Sequence, residues 1–266
     1  MIILRLAGGL GNQITQLGAA LLLSERVKCK TIIIDDSGLS SYKEKHVNQL
    51  INYFDFTKLD INIVFKQLLI TKSRLPRLLA FNISNYPLIS DKNFQTALKS
   101  TNKYLWLDDY FGSCLTQKNL NREIEILKSI FIQKNLSNQE GCVIHIRGGD
   151  YVEFGGGEVA SPIFYKSAIN KMQQDYGIKK FYVVTNDKEY SNSILKDIDF
   201  SFIGGDMEED FYLIGQFNFR ILSSSSFASW ASALGVNSVD GAIIIPKEWM
   251  PGIKRNSQLP NEIDIQ

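Results

Sequence analysis

Short apolar runs at residues 2–6, 31–34, 142–147, 181–184, 200–203, 220–222 and 242–245 alternate with stretches whose apolar positions recur every three or four residues. The runs predict strands buried on both faces, as in a parallel sheet, and the stretches predict helices laid across them. Helices are expected over 12–26, 121–131, 162–176, 191–196 and 210–217, with Ser161 and Pro162 as cap and first residue of the third. A further helix opens on the run Ser223-Ser224-Ser225-Ser226. A strand from 104 leads into an aromatic, acidic loop, Trp106-Leu107-Asp108-Asp109-Tyr110. The strand at 242–245 reads as the last one, with the polar tail after Trp249 wrapping over the surface. The rhythm pauses in the polar stretch 133–141 and then restarts. That pattern predicts an α/β protein with two Rossmann-like halves, 1–138 and 139–266, facing a central cleft.

In such sheets ligands bind beyond the carboxyl ends of strands, so the residues there carry the chemistry. The first strand ends in Ala7-Gly8-Gly9-Leu10-Gly11-Asn12-Gln13. Gly9-x-Gly11 is close to a dinucleotide fingerprint, but Ile14 stands where a third small residue belongs, and Asp36 is spaced to read a ribose. A dinucleotide site, a tight packing turn, and a loop whose amides and Asn12 touch a ligand at a helix start all stay open.

The densest chemistry is at 142–152. His145 interrupts the apolar run there, either as a hydrogen-bonded core residue or, if it faces the cleft, as a ligand contact. Arg147 follows at the strand end, with Gly148, Gly149 and Asp150 behind it. A guanidinium in that place offers a fixed fork of donors to the diphosphate of a nucleotide sugar. The glycine-rich stretch 151–160 is expected to be a mobile loop. Thr185 and Gly204-Gly205-Asp206 end later strands, and the serine run forms a phosphate cradle at a helix start.

Composition narrows the partners. The net charge of +1 over 266 residues gives no electrostatic case for nucleic acid. Three cysteines at unrelated spacings fit free thiols in a reducing compartment, and Asp197-Ile198-Asp199 with two distant histidines makes no metal site. His46, among polar neighbours, reads as a surface residue. Residues 68–81 form a basic, amphipathic stretch that could meet an anionic lipid. With no signal-peptide or membrane-spanning pattern, the expected location is cytoplasmic, with peripheral contact at the inner membrane left open. Two α/β halves with polar strand ends, and no metal, describe a sugar-nucleotide glycosyltransferase of the two-Rossmann (GT-B) kind.

The chain resembles the bacterial α-1,2-fucosyltransferases, glycosyltransferase family 11. The family's Gly-Gly-Leu-Gly-Asn-Gln is present at 8–13, and its His-x-Arg-Arg-x-Asp motif as His145-Ile146-Arg147-Gly148-Gly149-Asp150. Asp210-Phe211-Tyr212-Leu213, Ser224-Ser225-Ser226-Phe227-Ala228-Ser229-Trp230 and Ile245-Pro246-Lys247-x-Trp249 follow in the family's order. The resemblance implies GDP-L-fucose as donor, inversion, no required cofactor or metal, and a galactose-type hydroxyl as acceptor on a surface polysaccharide or O-antigen unit, which could be lipid-linked. It implies an N-terminal half that mainly binds acceptor and a C-terminal half that mainly binds the GDP-sugar. Arg147 and Asp150 would be catalytic. Gly11, Asn12, His145, Arg147, Thr185, Ser224, Ser225, Ser226 and Phe227 would bind donor. Gly148 departs from the motif's second arginine, and Ser229 from a tryptophan. A sugar-nucleotide-binding protein with altered donor or no turnover is therefore an alternative, as is a dinucleotide-dependent oxidoreductase.

Overall fold

The computed structural model describes residues 1–41, 46–68, 87–102, 104–112, 114, 116–134, 139–153, 155–235, 241–255, 257–259 and 261–265. The chain divides into two units, Met1–Ile132 and Gln133–Gln266.

The first unit runs β1 (Ile2–Arg5), α1 (Leu10–Val27), β2 (Thr31–Asp35), α2 (Leu50–Tyr53), β3 (Asn62–Phe65), β4 (Leu88–Ile89), α3 (Phe94–Ala97), β5 (Leu105–Leu107) and α4 (Gln117–Ile130). Its strands lie in the order β3-β2-β1-β5-β4, every pair parallel. The central β1 is apolar on both faces because helices must cover a parallel sheet on each side. α1 is buried nearly all round and packs against α4. Gly18 permits that approach, since a Cβ there would lie 3.1 Å from Glu123 Oε2 and 3.2 Å from Leu127 Cδ1. The edge strands β3 and β4 have no counterpart in the sequence pattern. β3 is half exposed and β4 has only two residues, so neither leaves a strong apolar signal.

The second unit runs β6 (Gln139–Ile146), α5 (Asp150–Glu153), α6 (Gly156–Val159), α7 (Pro162–Tyr176), β7 (Phe181–Thr185), α8 (Lys188–Ile194), β8 (Ser201–Phe202), α9 (Met207–Gln216), β9 (Phe217–Leu222), α10 (Ser226–Leu234), β10 (Ala242–Pro246), β11 (Glu248–Met250), β12 (Ile253–Lys254) and β13 (Glu262–Ile265). The sheet order is β13-β10-β9-β6-β7-β8, again parallel throughout. Ile144, Ile146, Phe164, Ile169, Met172, Val183 and Ile221 form its core. The Ser161 hydroxyl accepts from Phe164 N to start α7, and Gly177 at φ +66° ends it. Asp187 and Asp206 cap α8 and α9 in the same way.

Two expectations are corrected. Residues 151–160 are not one open loop. Asp150–Glu153 and Gly156–Val159 close helical turns around Gly155, whose φ of +89° a side-chain-bearing residue rarely adopts. β10 is not the last strand either. Beyond the β11–β12 hairpin the chain returns, and Ile263 and Ile265 of β13 pair beside Ile244 and Pro246. The basic stretch expected at 68–81 lies, past Leu68, outside the described residues. Among those described, no helix is long and apolar enough to cross a membrane.

Candidate functional site

In the second unit β6 lies between β9 and β7, so the segments following these three strands meet at one end of the sheet. Arg147 emerges there with its side chain 38% exposed, and Nη2 donates to Asp150 Oδ1 at 3.3 Å. A solvent-exposed pair of this kind is worth at most about 1 kcal/mol. Turning the guanidinium from Asp150 to a ligand anion therefore costs little.

Gly148 is fixed from the neighbouring strand end. Its N–H donates to Asn186 Oδ1 at 2.9 Å, and a Cβ on it would lie 2.5 Å from Asp187 Cβ. Asp187 is the cap of α8, so the space beside residue 148 is already taken by a side chain that holds a helix start. No side chain fits at 148 unless that turn moves. Gly149, at φ +64°, then lets the chain enter α5.

His145 is buried. Its Nδ1 lies 2.9 Å from Ser223 Oγ, and its carbonyl accepts from Ser223 N and from Tyr165 Oη, both at 3.2 Å. Burial, reinforced by the Arg147 charge, pushes its pKa down to about 3, so the imidazole is neutral at physiological pH. Its ring is 6.1 Å from that of Phe227, which meets Phe211 edge-on at 5.3 Å. Ser224 is also buried. Its hydroxyl donates to Glu248 O at 2.9 Å, and its carbonyl accepts from Tyr151 Oη at 2.7 Å. Burial raises that phenol to about 12. The Thr185 hydroxyl donates to Asp187 O and accepts from Asp187 N and Ser191 Oγ. His145, Thr185 and Ser224 thus support the site through internal bonds. Arg147, Asp150, Thr185, Ser225, Ser226 and Phe227 are the candidates of this unit with surface to offer, and Ser225 begins α10 without a side-chain cap bond.

In the first unit Gly8 takes φ +73°, and a Cβ there would lie 2.6 Å from Asn12 Nδ2, so Asn12 folds back over the glycine turn. Gly11 is buried inside α1, where its carbonyl accepts from Thr15 Oγ1 at 3.0 Å. Gln16 was silent in the sequence pattern, whereas Gln13 closes the Gly-Gly-Leu-Gly-Asn-Gln motif. Gln13 Nε2 donates to Gly8 O and Val47 O, and its Oε1 accepts from Gln49 N. Gln16 Oε1 accepts from Ala7 N, and its Nε2 donates to Asp109 O. For Gln16 the signal is a second glutamine one turn after Gln13 on a largely apolar helix. His46 keeps part of its surface but is drawn against the glycine turn. It is half-buried, its Cε1 4.0 Å from where a Cβ on Gly9 would sit, because Gln13 draws residues 47–49 onto the glycine turn. Asp35 ends β2, buried, with Oδ1 accepting from Ser37 N and Leu68 N. Asp36 stands beside it, half-buried. Among the described residues no three of His, Cys, Asp and Glu gather closely enough to hold a metal ion.

Two parallel α/β units with their polar residues beyond the strand ends are the frame of GT-B-type glycosyltransferases. The chain belongs to glycosyl transferase family 11, whose family model matches residues 1–258. It is 27% identical to an alpha-1,2-colitosyltransferase of Escherichia coli, covering 97% of this chain and 95% of that one. It is 22% identical to the O-antigen biosynthesis glycosyltransferase WbnK of the same organism, covering 93% and 94%. Among solved structures it shares a fold with the fucosyltransferase NodZ from Bradyrhizobium, with TM-score 0.56, 15% identity, and 88% and 92% of the chains covered. POFUT1 in complex with GDP-fucose gives TM-score 0.54 at 11% identity, covering 100% and 98%. The enzyme is a glycosyltransferase, which leaves no place for the dinucleotide oxidoreductase reading.

Proposed function

We propose that the enzyme transfers L-fucose from GDP-L-fucose to a galactose-type hydroxyl of a surface polysaccharide or O-antigen unit, forming an α-1,2 linkage with inversion and without a metal. The observation that carries this reading is Arg147, a guanidinium half open to solvent at the end of the central strand and only weakly held by Asp150. The acceptor oxygen attacks the anomeric carbon as the bond from that carbon to the β-phosphate oxygen breaks, and GDP leaves with the electron pair. Arg147 turns to the departing diphosphate, helped by the amides at the start of α10. Asp150, released by that turn, takes the acceptor proton. Ser225, Ser226 and Phe227 line the phosphate or nucleotide side of the donor. Support comes from family membership and from the names of the Escherichia coli relatives. Gly148 does not argue against turnover, because the second motif arginine is absent where Asp187 fills the space.

The test is a thermal-shift titration with GDP in EDTA, followed by incubation with GDP-L-fucose and galactosides and NMR of the product linkage. GDP raises the melting temperature of the wild type, and Arg147→Ala abolishes the rise. A wild type indifferent to GDP would sink the reading. A second reading keeps the chemistry and changes the sugar. The relative named as an alpha-1,2-colitosyltransferase supports colitosyl transfer, and the same NMR assay with the corresponding donor decides between them.

A further inference from the structure

Two residues before Arg147, a chain of hydroxyls meets the imidazole of His145. Ile144 and Ile146 fill the core on one face of β6, so His145 points to the other, where its ring meets Phe227. His145, Tyr165 and Ser223 are all buried. His145 Nδ1 and Ser223 Oγ lie 2.9 Å apart. The Ser223 hydroxyl also bonds the Tyr165 phenol, and that phenol bonds the His145 carbonyl at 3.2 Å.

Counting protons gives this chain a direction. A carbonyl only accepts, so the phenol gives its one proton to His145 O. The phenol oxygen is then an acceptor toward Ser223 and takes the one serine proton. Ser223 Oγ has none left for the imidazole and must accept from Nδ1–H. The ring is neutral, held so by burial and by the Arg147 charge, so its other nitrogen is bare. Among the described residues Nε2 has no hydrogen-bond partner. The nearby Tyr151 phenol does not disturb this order, because it gives its own proton to Ser224 O.

We propose that Tyr165 and Ser223 are positioning residues that keep the imidazole proton on Nδ1, so that His145 presents a bare Nε2 to a hydroxyl of the bound nucleotide sugar. A bare nitrogen accepts from a hydroxyl and repels an ionised phosphate oxygen, which has no proton to give. Labour is thereby divided along one strand end. Arg147 meets the diphosphate, and His145 meets a hydroxyl of the ribose or of the sugar. The proposal rests on the nucleotide-sugar reading of this site and adds the groups that orient the imidazole within it.

The chain has two histidines, so nuclear magnetic resonance of the full-length protein labelled on its imidazole nitrogens shows two rings, and His46→Gln leaves that of His145 alone. In free histidine the proton prefers Nε2; the wild type is expected to carry it on Nδ1. Tyr165→Phe removes the acceptor of the serine proton, which turns to Nδ1 and sends the ring proton to Nε2. Loss of one neutral hydrogen bond shifts the tautomer ratio on the order of fivefold. Ser223→Ala shifts it in the same direction. Adding GDP and then GDP-L-fucose separates the two sources of the hydroxyl. The Nε2 signal moves with GDP when the ribose supplies it, and only with the sugar nucleotide when the sugar does. A proton on Nε2 in the wild type overturns the proposal. So does a Tyr165→Phe ring that keeps the wild-type tautomer, and so does an Nε2 signal that neither ligand moves although GDP raises the melting temperature. A wild type with the expected tautomer whose melting temperature neither ligand raises defeats the donor reading alone.

Discussion

Glu123 lies in α4 against Gly18 of α1, wholly buried, and neither carboxylate oxygen finds a hydrogen-bond partner among the described residues. Burial raises its pKa well above the ordinary value. Cys114 nearby is pushed up by burial and by the carboxylates of Asp91 and Glu123. The folded protein therefore holds a proton on Glu123 that the unfolded chain releases near its ordinary pKa. Stability is fully present below that value and is lost as pH rises toward the folded one, by up to about 1.4 kcal/mol per pH unit. Glu123→Gln, which keeps shape and removes the charge, is expected to raise the melting temperature more at pH 8 than at pH 5. Equal gains at both values would show that burial is not what shifts this group. His145 behaves in the opposite sense. Its depressed pKa makes the protein lose stability as pH falls from the ordinary histidine value toward about 3.

At the scale of elements, Gly148 separates two accounts of a missing arginine. If only charge were lacking, Gly148→Arg would strengthen GDP binding. The 2.5 Å approach of Asp187 Cβ means instead that a side chain at 148 displaces the α8 cap and the Asn186 bond. Gly148→Arg is therefore expected to cost about 1–3 kcal/mol of stability, read by urea unfolding, without improving GDP affinity. Elements of this kind differ in how plainly the chain announces them. α7 is legible because Ser161, Pro162 and Gly177 state its limits locally, and β6 because its apolar run stands alone. β3, β4 and β13 are short, partly exposed edge strands, so no buried apolar run marks them. Arg147 and Asp150 could be read from their place after a strand. The internal bonding of Ser224 and Thr185, and the half-buried position of His46, follow from contacts across the fold.

For the whole molecule, each unit has its own sheet, and among the described residues no strand is shared between them. Calorimetry is expected to resolve two unfolding transitions, with GDP acting chiefly on one, and Arg147→Ala removing that response. One transition that shifts as a whole would show the units to be coupled.

The two glutamines of α1 carry a consequence beyond placement. Every atom they bond outside the helix is main chain: Ala7 N, Gly8 O, Val47 O, Gln49 N and Asp109 O. They set where the two flanking segments run and are indifferent to which side chains those segments display. Residues 46 and 110 can thus be exchanged, in evolution or by design, with the scaffold beneath them untouched. The surface chemistry of this end can change while the frame beneath it stays fixed.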